Sequence, residues 1–122
     1  MMDDQLVDLG LVYELSDNDP QYIHNIISLF LNTVADKLAQ LESLINEGKD
    51  YRLIFEIAHA LKSSASVVKI KDLYNDLAGI DSLARNNTGI AEIRVYFQNI
   101  LSNYHKALPV LYAELERNKL SH

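Results

Sequence analysis

Apolar residues recur along this chain at intervals of three and four. Ile23, Ile26, Ile27, Phe30, Val34, Leu38, Leu41 and Ile45 form a stripe of about seven helical turns, where a half-buried strand would alternate. Asp19 before Pro20 marks its start, because an aspartate N-cap accepts an orphan amide hydrogen and proline has none to lose in the first turn. Gly48 marks its end, where glycine takes the left-handed conformation that helix C-termini favour. Before this helix the spacing of Leu6, Leu9 and Val12 or Tyr13 predicts a short one over Asp3 to Glu14, stopped by Ser16-Asp17-Asn18-Asp19. After it, Asp50 caps a helix carrying Leu53, Ile54, Ile57, Ala58, Leu61, Ala65 and Val68 on its apolar side. A further helix carries Leu73, Leu77, Ile80 and Leu83 and ends at Arg85-Asn86-Asn87. Thr88 is the expected cap of a last one that reaches towards Lys119. Pro109 falls inside that helix, where it removes a backbone hydrogen bond and should bend or break the preceding turn. Short connections between long amphipathic helices predict an all-α fold, an antiparallel up-down-up-down four-helix bundle with the short N-terminal helix over one end.

Composition adds limits to this picture. The chain has 122 residues, 48% apolar, which suits one domain over residues 1–122. Eleven basic against seventeen acidic residues give a net charge of −6, which argues against nucleic acid or an anionic membrane as partner. The absence of cysteine excludes disulfides, thiol nucleophiles and thiolate metal sites. The most apolar run, Tyr22 to Leu31, is interrupted by His24, Asn25 and Ser28 and falls short of the ~20 residues of a spanning helix. The opening Met-Met-Asp-Asp is acidic where a secretory leader is basic, so a cytoplasmic protein is expected.

Of four histidines, His24, His105 and His122 read as ordinary surface residues. His59 differs. At about 100° per residue it falls roughly 170° from the centre of its helix's apolar side, facing solvent. Phe55 lies one turn before it on the same face, Lys62 and Ser63 one turn after, and Ser66 two turns after. A neutral imidazole is a nucleophile near pH 7, because either ring nitrogen attacks while the other keeps its proton. A lysine one turn on supplies a point charge for phosphoryl oxygens. The face lacks the oxyanion donors of a Ser-His-acid triad, and the chain lacks a glycine-rich phosphate loop, so neither acyl transfer nor ATP-driven autophosphorylation is expected. The glutamates show no Glu-x-x-His pairing of a di-iron bundle. No metal and no cofactor are expected.

The segment Ala58-His59-Ala60-Leu61-Lys62-Ser63-Ser64-Ala65-Ser66-Val67-Val68 resembles the His-x-Leu-Lys-Gly-Ser signature of the histidine-containing phosphotransfer (HPt) domain. The Asp17-Asn18-Asp19 loop, Leu29-Phe30-Leu31, the Glu47-Gly48-Lys49-Asp50 connection and the Leu73/Leu77 spacing are similar to that family too. The resemblance implies a four-helix bundle that relays phosphoryl groups between receiver-domain aspartates, with His59 phosphorylated, Lys62 facing the phosphate and Leu61 in the core. Two positions depart from it: Ser63 and Lys69 stand where the family usually has glycine. Ser63 narrows the approach to His59 by one hydroxymethyl group. Lys69 requires either a different turn or a strained backbone costing about 1 kcal/mol. Asp81 occupies the place of a polar residue that lies near the histidine in this family; an aspartate would orient the imidazole and repel a phosphate.

Two functions follow as expectations. In the first, His59 takes a phosphoryl group from a receiver aspartyl phosphate and passes it to another receiver aspartate, the receivers belonging to response regulators or hybrid histidine kinases. The second is a helical adaptor that binds a receiver or kinase through the same face without carrying phosphate. Either leaves one docking face of about 800 Å² free, as a monomer would.

Overall fold

The computed structural model describes residues 5–119. Among them the elements run β1 (Val7–Asp8), α1 (Gly10–Leu15), α2 (Pro20–Glu47), α3 (Tyr51–Ala65), β2 (Lys69–Ile70), α4 (Leu73–Arg85) and α5 (Ile90–Arg117). The fold is all-α, apart from this two-residue strand pair. α2 begins and ends where its local chemistry dictates. The Asp19 carboxylate accepts the Gln21 amide at 2.9 Å, Pro20 opens the helix, and Gly48 closes it at φ 71°. Asp50 caps α3 in the same way, its carboxylate accepting from the Leu53 amide at 3.2 Å.

Four long helices close a ring of contacts, α2 on α3, α3 on α4, α4 on α5 and α5 on α2. Their inward stripes supply the core, from Ile27 and Leu41 through Ile54, Leu61 and Ile80 to Ile100 and Leu111. On α3 the fully buried stripe is narrower than the sequence spacing suggests. Ile54, Ala58, Leu61 and Ala65 are buried, whereas Ile57 is half-buried and Leu53 exposed, because a single ridge of the helix meets the core. α5 runs unbroken through the exposed Pro109, so the proline does not end it.

The N-terminal segment departs from the expected helix. Asp3 and Asp4 lie outside the described residues. Beyond them helix begins only at Gly10, and Val7–Asp8 pairs antiparallel with Lys69–Ile70, Val7 opposite Ile70 and Asp8 opposite Lys69. The Lys71 amide extends the pairing to the Leu6 carbonyl at 2.8 Å. Helical spacing of Leu6 and Leu9 could not reveal this, because the partner strand lies some sixty residues away in sequence. The pair also resolves Lys69, which is extended and unstrained; the left-handed residue of the connection is Asp72, at φ 62°. Thr88 does not cap α5. Asn87 and Gly89 both turn left-handed there, at φ 55° and 83°, and Gly89 takes the N-cap position without a side-chain bond.

The Tyr13 hydroxyl donates to the buried Glu114 carboxylate. The Asn118 side chain donates to the Glu114 carbonyl at 2.9 Å, and Arg117 pairs with the same carboxylate at 3.0 Å. This fastens α1 to α5, well away from His59 in the sequence.

Candidate functional site

His59 sits in the middle of α3, where the buried ridge of Ala58 and Leu61 turns it outward, and its side chain is 59% exposed. Facing it from α4 is Asp81, 1% exposed. Asp81 Oδ2 lies 2.9 Å from His59 Nδ1 and accepts from Lys62 Nζ at 3.0 Å; Oδ1 accepts from Arg85 Nη2, also at 3.0 Å. One buried carboxylate therefore holds three basic side chains, two of them on the same oxygen.

Charge fixes which way the imidazole faces. Burial by itself raises the Asp81 pKa, but the hydrogen bonds from His59, Lys62 and Arg85, with the lysine's charge, outweigh it and hold the group down to about 2. At neutral pH Asp81 is therefore an anion and accepts only. His59 must donate to it from Nδ1, so the lone pair of the neutral ring is on Nε2, at the exposed end of the side chain. The arrangement yields an oriented nitrogen nucleophile with a cation one turn away.

The Phe55 ring stacks on His59 at 5.3 Å between centroids, and the Arg85 guanidinium lies 5.6 Å from that ring. His59, Asp81, Arg85 and Phe55 thus close a cycle of contacts across the α3–α4 seam, which explains a partly exposed phenylalanine there. Lys62, 22% exposed, lies 5.8 Å from the Tyr74 ring centroid. Arg85 and Tyr74 were not picked out from the sequence. The i,i+4 spacing of Arg85 from Asp81 was a usable signal for the first. Nothing local marked Tyr74, whose role depends on where Lys62 reaches.

Ser63 and Ser66 are exposed on the same side of α3 but do not join the cluster. The Ser66 hydroxyl donates to the Ser63 carbonyl at 2.6 Å, at the end of the helix. Ser63 instead borders an apolar groove of about 310 Å³ between α2 and α3, lined also by Ile26, Leu29, Phe30 and Val67, with Leu29 68% exposed. Among the described residues no group of three potential metal ligands converges, and no helix is long and apolar enough to cross a membrane.

A family model of the Hpt domain matches residues 25–117, from the second turn of α2 to the last residue of α5. The match takes in His59, Lys62, Asp81 and Arg85. No curated protein and no solved structure gave a match. With about three quarters of its length matched, the chain belongs to the Hpt domain family, the phosphocarriers of phosphorelay signalling that interact with receiver domains.

Proposed function

We propose that this chain is a histidine phosphotransfer protein in which His59 accepts a phosphoryl group from a receiver-domain aspartyl phosphate and passes it to the aspartate of a second receiver. The observation that carries the reading is the exposed imidazole whose Nδ1 is held by the buried Asp81 carboxylate. Nε2 attacks phosphorus, and the bond from phosphorus to the receiver's carboxylate oxygen breaks with its electron pair. Nδ1 keeps its proton throughout. Return transfer reverses these changes on another carboxylate, so no proton has to move in either direction. Lys62 balances phosphoryl charge and Phe55 supports the ring from the side. Ser63 and Ser66 are small and exposed, and with the apolar groove that Ser63 borders they leave this face open to docking of a receiver surface.

The fold is read as an up-down-up-down antiparallel four-helix bundle, one domain over residues 1–122, acting as a monomer in the cytoplasm. It has no autokinase activity of its own. The partners are receivers of response regulators or hybrid kinases, with neither nucleic acid nor membrane engaged.

Incubation of the purified protein with a panel of phosphorylated receivers tests this. Acid-labile label is expected on the wild type and none on His59→Gln, whose side-chain amide can still donate to Asp81 and whose fold is checked by circular dichroism. Receiver binding without any transfer of label would make the chain an adaptor instead.

A further inference from the structure

Asp81 Oδ2 is shared: His59 Nδ1 and Lys62 Nζ bind the same oxygen, at 2.9 and 3.0 Å. A phosphoryl group on His59 would offer this lysine a second, more exposed and more highly charged anion, and its flexible stem on a partly exposed site lets it turn towards it. Arg85 stays on Oδ1, so the buried carboxylate is never left without a cationic partner when Lys62 departs. We infer that phosphorylation hands Lys62 from Asp81 to the phosphoryl group, and that Oδ2, relieved of the lysine, then holds the proton on Nδ1 of phospho-His59. This rests on His59 as the phosphoacceptor and goes beyond it, making Asp81 a positioning residue that governs how readily the phosphoryl group departs.

The chemistry gives that proton its weight. When the P–N bond breaks, its electron pair returns to Nε2. With Nδ1 protonated the leaving group is neutral imidazole; without that proton it is imidazolate, a far poorer one. An anion within hydrogen-bond distance favours the protonated form, and removing a competing donor strengthens its hold. The groups facing this pair are Lys62 on α3 and Arg85 on α4. The Arg52–Glu56 pair lies N-terminal to His59 on α3 and is engaged internally at 3.1 Å, while the Tyr74 phenol ring packs beside Lys62. Among the described residues α2 and α5 send no hydrogen bond or ion pair to His59 or Asp81.

Potassium phosphoramidate provides a test without a receiver. Nε2 attacks its phosphorus, the phosphoramidate P–N bond breaks, and ammonia leaves. Phosphohistidine is followed by ³¹P NMR, and its loss to water is timed between pH 6 and 9 for the wild type, Asp81→Asn, Lys62→Gln and the double variant. The wild-type rate is expected to vary less than about threefold over this range, while that of Asp81→Asn falls at least about tenfold towards pH 9. Lys62→Gln should slow loading by a factor about three times larger in the Asp81→Asn background, where no carboxylate competes for the lysine. In the wild type alone, the ¹⁵N resonance of the Lys62 ammonium should move on loading, a result that decides the handover even if Asp81→Asn does not fold. Matching pH profiles would overturn the proton-holding role. Equal Lys62→Gln factors, or an unmoved lysine resonance, would overturn the handover. Failure of the folded wild type to form any phosphohistidine would overturn the inference together with the reading beneath it.

Discussion

Asp76 and Asp81 lie on the same helix, α4, both largely out of solvent, and their carboxyl groups are driven in opposite directions. Asp81 faces α3 and meets His59, Lys62 and Arg85. Asp76 meets a neutral amide on α5, Asn99 Nδ2, at 2.6 Å. Burial raises the Asp76 pKa; the Asn99 hydrogen bond lowers it, and the nearby Asp72 charge adds to the rise. Burial acts on both acids, so the charge of the partner decides the outcome. The α3–α4 seam keeps a permanent anion beside an exposed imidazole, whereas the α4–α5 seam uses a similar acid as a polar element of packing. Asn103 adds to the latter by donating to the Lys71 carbonyl at 3.1 Å.

The largest expected separation between the seams comes from Asp81→Asn. A folded-state pKa of about 2 against the ordinary 3.8 means that Asp81 stabilises the native state fully above pH 4 and loses that contribution as pH falls through 2. Urea unfolding should show the wild type more stable than Asp81→Asn by about 2 kcal/mol between pH 5 and 7, with the gap closing between pH 4 and 2.

Next in size is Asn99→Ala, which leaves the Asp76 carboxylate without its donor. A loss of about 1.5 kcal/mol at pH 7 is expected by the same measurement. The smallest effect, under ~1 kcal/mol, is that of Asp76→Asn, and its pH sense is opposite to that of Asp81. A raised folded-state pKa contributes stability below the unfolded value and loses it as pH rises, so the wild type should gain on Asp76→Asn as pH falls towards 3. Two aspartates responding with the same sign would break the comparison.

What the sequence disclosed divides along physical lines. The ends of α2 were legible because Asp19, Pro20 and Gly48 act within a turn of themselves. His59 was legible as an outward residue because helical periodicity alone places it. The β1–β2 pair was not, since two residues on each side carry no local pattern. Thr88 was the better cap by residue type, but the left-handed Asn87 and Gly89 set the entry to α5. Asp81 was expected beside the histidine. Its hold on three basic groups at once was not, because that depends on the burial of α4 against α3 and on the reach of Lys62 and Arg85.

The claim that Asp81 fixes His59 with Nε2 as the attacking atom is most directly tested by ¹H–¹⁵N NMR of the imidazole, before and after transfer from a phosphorylated receiver domain. The neutral ring should carry its proton on Nδ1, and the phosphorylated ring should show ³¹P coupling at Nε2. A neutral ring protonated on Nε2, or phosphorus bonded to Nδ1, would contradict the account.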